Sequence, residues 1–469
     1  MRLRNSVNFL LLISGLSCLV IFGYGLKNIG NSGGTGVFLL FVIVPFLTGL
    51  FLLLSLKLSL TVRTNIVVML LSAGICLYGA QIFIMVWRKD RQDVVQESAE
   101  KNDRRFDGRT MLEMVKALRS RGLKAYPMTT GALWLKPDAS GKIQSNLRLG
   151  KKPFLPLGGV SNAKIVQCNE SGEWVIHNSD EHGFRNPKGI WSIPDIEIIT
   201  LGDSFTFGDC VPEGENVVSR IRKVYPKTLN LAFSGGGPLF QVAYLREYVQ
   251  KLKPRIVLWF FYEGNDMWNL HLEKRVPLLL RYFGEASFNQ GLVSIQDQID
   301  KSIDEFVAGV LKDYKKPNAG LEKTLLDVLF LRDLRTFLRL PTFSWRYKKN
   351  IEDLDFGLLE KAVEKINNHI ESWGGELYII YLPSWYRQRR PDHASPVVEK
   401  IRREMGRIVS KHKIPFVDMI PVFMAYPAPR KLVVFPGSHY NAKGYRLVAE
   451  TVLNALQKRR TKRPALFTD

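Results

Sequence analysis

Three long apolar stretches stand out in residues 1–90, and they predict membrane-spanning helices. They lie at about 7–26, 36–56 and 65–87. Each is close to the ~20 residues that a helix needs to cross the hydrocarbon core of a bilayer. A signal peptide is the alternative interpretation of the first stretch, but its apolar core is long and no clean small-x-small cleavage site follows it. We therefore interpret residues 1–90 as a three-helix membrane anchor.

The pattern changes in residues 91–194, which are first charged and then carry short β-like runs. Residues 110–122 have apolar side chains at helical spacing and end in glycine, which predicts a helix. The runs GALWLK, AKIVQCN and GEWVIHN are bounded by turn residues and predict short strands. We interpret this region as a linker followed by a small β-rich lead-in.

Residues 195–460 alternate near-continuous apolar runs with helical segments. The runs are DIEIITLGDS, TLNLAFSGGGP, RIVLWFFYEGND, ELYIIYLPS and IPFVDMIPVF. Strands that are apolar on both sides belong to a parallel sheet covered by helices on both faces. The pattern predicts a three-layer α/β/α sandwich with a mostly parallel sheet. Helix-like residues at about 270–350 interrupt the alternation and predict a helical insertion, and residues 461–469 form a basic tail.

Composition limits the choice of partners. Lys and Arg outnumber Asp and Glu by 66 to 44, and the net charge is +22. No base-reading helix, RNA-binding aromatic signature or zinc-finger spacing accompanies this charge, so nucleic acid is not an expected partner. A membrane surface is an expected partner, and a solvated basic surface is the other interpretation of the charge. The four cysteines form no CxxC pair, so neither a metal nor another cofactor is expected. Cys168 and Cys210 are the candidates for a disulfide, a pairing that the sequence leaves open.

Candidate chemistry follows the predicted strands. In open parallel sheets, reactive groups gather at the carboxyl ends of the strands. Ser204, Gly235 and Asn265 follow the first three predicted strands, and His439 follows the last strand region. Each alone has an ordinary explanation, such as a helix cap or a turn. Together they supply a hydroxyl nucleophile, a base near neutral pH and two donors for an oxyanion.

These positions resemble the sequence blocks of the SGNH (GDSL-type) hydrolases, including membrane-anchored bacterial members. The resemblance covers about 196–270 and 376–456 and rests on GDS, NLAFSGGGP, EGND and HYNAKGYRLVAE, in this order. It implies that Ser204 is the nucleophile, His439 the base, and Gly235 and Asn265 the oxyanion donors. Glu263 stands where the third block usually begins with glycine. The segment SDEHGFRNP resembles one that precedes the nucleophile in longer bacterial members, and the sequence assigns it no role.

The last block departs from the family in one respect that affects catalysis. The family usually has an aspartate two or three residues before the histidine, where this chain has Pro436 and Gly437. Three interpretations stay open: a Ser–His dyad held by a backbone carbonyl, a carboxylate from elsewhere, or a decayed site. Asp418 and Asp266 are the candidate orienting acids. Loss of such an acid costs about 10⁴-fold in kcat in a triad enzyme.

The leading hypothesis is a membrane-anchored serine ester hydrolase that acts on acyl esters of a cell-surface glycan or a lipid. One alternative is an O-acyltransferase that modifies an exopolysaccharide, which would need a membrane partner for acyl transfer. Another is a decayed, glycan-binding protein. The expected location is a multi-pass membrane protein. Positive charge at 88–91 favours a cytoplasmic soluble domain, whereas the family resemblance favours an extracytoplasmic one.

Overall fold

The computed structural model describes residues 2–28, 38–87, 91–101, 103–137, 143–314, 325, 327–338, 354–389 and 395–462. It divides the chain into two compact units. The first comprises 1–90 with 315–349, and the second comprises 91–314 with 350–469. The lead-in and the α/β region therefore form one compact unit.

The helices and strands are numbered in chain order. Among the described residues, the α-helices of four or more residues are α1 Arg2–Asn28, α2 Val44–Ser55, α3 Leu60–Trp87, α4 Arg91–Lys101, α5 Met111–Arg119, α6 Ser204–Phe207, α7 Val217–Arg222, α8 Pro238–Tyr244, α9 Asp266–Glu273, α10 Pro277–Gly284, α11 Gln296–Asp313, α12 Arg332–Phe337, α13 Phe356–Glu371, α14 Trp385–Arg389, α15 Pro396–Lys411, α16 Met419–Met424 and α17 Ala442–Lys462. The strands are β1 Ala125–Pro127, β2 Leu135–Pro137, β3 Ile143–Ser145, β4 Arg148–Leu149, β5 Lys152–Pro153, β6 Lys164–Cys168, β7 Val175–Asn178, β8 Ile198–Leu201, β9 Thr228–Asn230, β10 Ile256–Tyr262, β11 Glu376–Leu382 and β12 Phe416–Asp418.

The predicted parallel sheet is confirmed. Five strands pair in the order β12-β11-β10-β8-β9, and every pairing is parallel. The central strand β10 is buried on both faces: Val257, Trp259 and Phe261 join one apolar cluster, and the alternate residues join another. Helices α8, α9, α13 and α15 contribute to the first cluster, and α7, α16 and α17 to the second. Helices therefore cover both faces, as near-continuous apolar strands require.

The lead-in forms a separate three-stranded sheet in the order β1-β6-β7. Strands β6 and β7 pair antiparallel, as Lys164↔Asn178 and Ile165↔His177. The AKIVQCN and GEWVIHN runs thus contain strands, whereas GALWLK begins with a short 3-10 helix, Gly131–Trp134, and reaches a strand only at Leu135. The loop that joins β6 to β7 carries Glu170.

The first unit contains the apolar helices. Two helical stretches, Arg2–Lys27 and one that begins at Leu60, are long and apolar enough to cross a membrane, and Leu39–Ser55 is a shorter apolar helix. Among the described residues there are thus two helices of spanning length, where the sequence predicts three. The middle predicted span starts at residue 36, which lies outside the described residues. The part of it that the structure describes, Leu39–Ser55, is shorter than a membrane-spanning helix needs to be.

Part of the predicted insertion belongs to this first unit. The Gln81 side chain on α3 is fully buried; its amide donates to Asp333 Oδ2 at 2.9 Å and its oxygen accepts the Leu334 N–H at 2.9 Å. Tyr78 donates from its hydroxyl to the Leu329 carbonyl at 3.2 Å. A buried amide needs such partners, and the described residues 325 and 327–338, here called the α12 segment, supply them. Helices α10 and α11 of the insertion lie in the second unit.

Candidate active site

The nucleophile candidate lies where β8 ends. All four residues of β8 are buried, and Gly202 follows with a positive φ of 152°. A Cβ at this glycine would lie 2.1 Å from Thr206 Oγ1, so the sharp turn excludes a side chain. Asp203 caps α6 by accepting the Phe205 N–H at 2.9 Å. Ser204 is the first residue of this short helix and is 8% exposed.

The base candidate reaches Ser204 from the other end of the chain. His439 lies in the turn between Val433 and the start of α17, and its carbonyl accepts the Val434 N–H at 3.0 Å. Its Nε2 is 3.0 Å from Ser204 Oγ. This distance lies within the range expected of a nucleophile and its base. The structure therefore brings together the two residues that the sequence proposes as a pair.

A carboxylate holds the other side of the imidazole, and it comes from the lead-in. One oxygen of Glu170, Oε2, lies 3.2 Å from His439 Nδ1 and accepts the His439 backbone N–H at 3.0 Å. Glu170 is only 5% exposed. With Nδ1–H directed at Glu170, Nε2 is free to accept the Ser204 hydroxyl proton, which is the tautomer that a general base needs.

The candidate orienting acids from the sequence lie elsewhere, and this expectation is corrected. Asp418 accepts two hydrogen bonds from Arg402, at 2.6 and 2.9 Å, and caps α16 through the Ile420 N–H. Asp266 accepts the Tyr262 N–H at 3.0 Å. Both carboxylates therefore stabilise local structure, and neither is a hydrogen-bond partner of His439 in the structure.

A second carboxylate lies near the reacting side of the imidazole. Asp209 Oδ2 is 3.8 Å from His439 Nε2 and accepts the Ser234 hydroxyl at 2.9 Å, while Oδ1 accepts the Gln167 amide at 2.7 Å. Burial raises the pKa of Asp209 to about 6, although the neighbouring His439 and the Ser234 hydrogen bond oppose the increase. Asp209 is therefore ionised at neutral pH and favours a charged imidazolium beside it.

The surroundings set the basicity of His439. Burial opposes the charged imidazolium, but the hydrogen bond to Glu170 and the negative charges of Asp209 and Glu170 outweigh it and raise the pKa of His439 to about 9. A group with this pKa accepts a proton readily. The imidazole must be neutral before it can accept the proton, so we expect His439 to act as a base mainly at alkaline pH.

The two oxyanion candidates follow β9 and β10. Gly235 has a φ of 79°, which favours glycine, and follows Ser234, the partner of Asp209. Asn265 donates from its side-chain nitrogen to Asp203 Oδ2 at 3.0 Å, which places it beside the residue before the nucleophile. An amide NH₂ has two donors, so one N–H of Asn265 is left for a developing oxyanion.

Two buried glutamates hold the loops that carry these donors. The Glu263 carboxylate, at the end of β10, accepts hydrogen bonds from the Ser384 N–H at 2.8 Å and from Arg387 at 2.8 Å. Glu263 thus ties the Asn265 loop to the loop after β11. Glu273, at the end of α9, accepts the N–H groups of Gly237 and Leu239 at 2.6 and 2.8 Å and fixes the glycine loop.

The SDEHGFRNP segment holds the turn after the nucleophile helix. Arg185 donates to the carbonyls of Gly208 and Val211, the latter at 2.9 Å, and so brackets Asp209 and Cys210. A disulfide joins Cys210 to Cys168, whose Cα is 5.5 Å away. Because Cys168 precedes Glu170 by two residues, the disulfide connects the turn after α6 with the loop that carries Glu170.

One cluster of potential metal ligands occurs among the described residues. Glu170, Cys210 and His439 place their ligand atoms within 4.8 Å of one another. The sulfur of Cys210 is bonded to Cys168 and offers no thiolate, and the other two side chains hydrogen-bond each other. This arrangement suits the fixing of an imidazole better than the binding of a metal ion.

Comparison with known proteins gives structural similarity only. No family model and no curated protein matches the sequence. The lipase/acylhydrolase from Enterococcus faecalis is 14% identical over 56% of this chain and 96% of its own, with a TM-score of 0.31. A member of the lipolytic protein G-D-S-L family from Veillonella parvula DSM 2008 is 15% identical over 55% and 96%, with a TM-score of 0.30. The acetyl xylan esterase AlAXEase is 12% identical over 56% and 100%, with a TM-score of 0.34. These values establish no activity, so the function is argued from the site.

Proposed function

We propose that this protein is a serine ester hydrolase with Ser204 as nucleophile, His439 as base and Glu170 as orienting acid. The observation that carries the proposal is the chain of contacts Ser204 Oγ–His439 Nε2, 3.0 Å, and His439 Nδ1–Glu170 Oε2, 3.2 Å. Three groups in this order activate a hydroxyl in unrelated folds, because geometry and not chain position defines a triad.

The proposed reaction proceeds through an acyl-enzyme. Ser204 Oγ attacks the ester carbonyl carbon while its proton passes to His439 Nε2. The N–H groups of Gly235 and Asn265 bind the oxyanion. The bond from the carbonyl carbon to the alcohol oxygen then breaks, and His439 returns the proton to the leaving alcohol. Water attacks the acyl-Ser204 ester with His439 again as base, which releases the carboxylic acid and regenerates the hydroxyl.

An O-acyltransferase is the second candidate, and a polar cleft favours it. The cleft has a volume of about 500 Å³, lies beside Cys210 and Asn441, and carries Arg104, Trp174 and Glu215 in its lining. Charged groups around a tryptophan suit a hydroxyl-rich acceptor such as a glycan, which would replace water in the second step. Diversion of the acyl group from water to an added sugar would distinguish the transferase from the hydrolase.

We also propose that residues 1–90 anchor the protein in a membrane and that the second unit lies outside the cytoplasm. The apolar helices support the first part. The Cys168–Cys210 disulfide supports the second, because disulfides persist in oxidising compartments. An acyl ester on a cell-surface glycan or a lipid would be accessible from that location.

A fluorophosphonate probe and an aryl ester test the nucleophile. The full chain in detergent should label with the probe and hydrolyse the ester, and Ser204→Ala should lose both activities. Ser120→Ala, at the exposed end of α5, is the matched control and should keep both. Stable labelling that persists in Ser204→Ala would reject the assignment. An unlabelled and inactive wild type would favour the decayed, glycan-binding alternative.

A further inference from the structure

A second cavity, mostly apolar, adjoins the proposed catalytic groups. Its volume is about 460 Å³, within the usual range for small-ligand sites. Its walls include Val95 on α4, Met111 on α5 and Met128 after β1, together with Phe106 and Trp174. Its lining also includes polar groups, namely those of Gln92, Thr110, Gln167, Asn169, Glu170, Asp209 and His439, and the Cys168–Cys210 disulfide.

Two contacts place the cavity next to the point where an ester would react. Asp209 and His439 both line it, and Asp209 Oδ2 is 3.8 Å from the His439 nitrogen that contacts Ser204. Met128 Sδ lies 3.8 Å from the hydroxyl of Ser234, the residue before the oxyanion candidate Gly235. A carbonyl bound between Ser204 and Gly235 would therefore have this apolar wall beside it.

The chemistry of the wall favours hydrocarbon over a sugar. Valine, phenylalanine and two methionines offer no hydrogen bonds, and a glycan placed among them would lose those it makes with water. Methionine side chains adapt their shape to flexible apolar ligands. Arg109 and Asp107, which also line the cavity, are joined by hydrogen bonds of 2.9 and 2.5 Å, so this pair does not need a charged ligand.

The cavity is built largely by segments outside the regions that carry the family resemblance. Helix α5 starts with a reciprocal cap, in which Thr110 accepts the Glu113 N–H and Glu113 accepts the Thr110 N–H at 2.8 Å, and this fixes Met111. Helix α4 packs tightly on the Glu170 loop, since a Cβ at Gly172 would lie 2.4 Å from Ala99 Cβ. The wall thus belongs to the lead-in, where a helix cap and close packing hold it in place.

We propose that this cavity binds the acyl chain of the ester, and that the preferred substrates carry acyl groups longer than acetyl. The inference rests on the proposed hydrolase function and narrows its substrate class. Each buried methylene group should increase kcat/KM by up to about fourfold. We expect the full chain in detergent to hydrolyse p-nitrophenyl octanoate with a kcat/KM at least about tenfold above that for p-nitrophenyl acetate, which corresponds to the burial of the first few methylene groups.

Substitutions in the wall test the assignment. Met111→Trp fills the cavity and should lower the octanoate-to-acetate ratio by about tenfold, whereas Met111→Ala enlarges it and should shift the optimum to longer chains. Leu280→Trp on α10 is the control; this residue is 40% exposed and lies outside the cavity lining. Its octanoate-to-acetate ratio should equal that of the wild type. Because each ester partitions into detergent to the same extent in every sample, a change seen only in the Met111 variants comes from the cavity. Thermal midpoints of all three variants report whether each one folds.

The outcomes separate the two proposals. A wild type that prefers acetate, or a ratio that neither Met111 variant changes while both fold, overturns the acyl cavity and leaves a Ser204-dependent hydrolase intact. If Met111→Trp does not fold, the test rests on Met111→Ala alone. A shift of its optimum to longer acyl chains supports the acyl cavity, and an unchanged optimum overturns it. Turnover that persists in Ser204→Ala overturns the hydrolase function itself.

Discussion

Glu170 contacts His439 twice through one oxygen, at the ring Nδ1 and at the backbone N–H. This arrangement fixes the imidazole by its side chain and its main chain together. A carboxylate at this position also stabilises the imidazolium that forms when Ser204 is deprotonated. Burial acts against the imidazolium, but this interaction and the negative charge of Asp209 raise the pKa of His439 to about 9. Glu170 therefore contributes both to the orientation of the imidazole and to its pH dependence.

We predict that Glu170→Gln lowers the plateau kcat by up to about 10⁴-fold and moves the acid limb of the pH–rate profile to lower pH. The base must be neutral, so wild-type kcat/KM should rise with pH, reach half of its plateau near 9, the pKa of His439, and level off above it. Without the negative charge the imidazolium is less stable, and the limb shifts towards the ordinary value. Rates measured from pH 5 to 10 test both effects.

Glu173→Gln is the matched control for that experiment. Glu173 belongs to the same loop, and its side chain is exposed. Its profile should coincide with that of the wild type. If Glu170→Gln kept both the plateau and the acid limb, Glu170 would not be the orienting acid.

Glu170 also shows why the sequence predicts the nucleophile and base but not the acid. Ser204, Gly235 and Asn265 follow apolar strands of one sheet, so the rule for parallel sheets places them at a common edge. Glu170 lies in a hairpin loop of a different sheet, within CNESGEW, and reaches His439 only through tertiary packing. Loop acids are common, and nothing in the spacing distinguishes this one. Its disulfide neighbour Cys168 is the one local signal that would have drawn attention to the loop.

At the scale of elements, the hairpin β6–β7 and the turn after α6 form one assembly. The Cys168–Cys210 disulfide joins them across a sequence separation of 42 residues, and Arg185 binds carbonyls on both sides of Cys210. The loop of Glu170, the proposed orienting acid, and the turn that follows Ser204 are thereby held at a fixed distance. The SDEHGFRNP segment, which has no predicted role, is the part of the chain that supplies Arg185.

We predict that replacing both Cys168 and Cys210 by alanine destabilises the protein and lowers kcat more than it changes KM. Loss of a cross-link over 42 residues costs about 3 to 4 kcal/mol by the chain-entropy argument. The Glu170 loop would then be less well ordered. Thermal unfolding and steady-state kinetics with an aryl ester measure the two effects.

The free cysteines provide the control for the disulfide. Cys18 and Cys76 lie in the apolar helices and are not bonded, so their double alanine variant should keep the wild-type midpoint and kcat. Maleimide should label two cysteines of the denatured wild type before reduction and all four afterwards. Labelling of all four without a reductant would contradict the disulfide.

Elements with strong local patterns are the ones that the sequence predicts well. The run RIVLWFFY appears as the wholly parallel, central strand β10 because apolar residues on both faces leave it no other environment. The α12 segment is different. Its sequence predicts only a continuation of the helical insertion. In the structure it packs on α3, where it supplies the hydrogen-bond partners that the buried Gln81 needs. Such a long-range pairing leaves no periodicity in the sequence.

For the whole molecule, this pairing means that the apolar unit is built from two separate parts of the chain. Removal of residues 1–90 alone would remove α3 and leave the α12 segment without its partners. Several of its apolar side chains are already more than half exposed: Leu325 58%, Leu329 57%, Phe330 60%, Phe337 70% and Leu338 52%. An uncovered patch of this kind promotes association with membranes or with other copies.

We therefore predict that a fragment 91–469 sediments with membranes or aggregates, although it lacks the three N-terminal helices. The same fragment with 315–349 replaced by a glycine–serine linker of equal length should stay in the supernatant, because the second unit keeps its own sheet and both apolar clusters. Ultracentrifugation without detergent separates the two outcomes, and ester hydrolysis and fluorophosphonate labelling report whether the site is intact. Equal solubility of the two fragments would show that the 315–349 segment does not belong to the anchor. A soluble but inactive linker fragment would show that the site depends on the first unit.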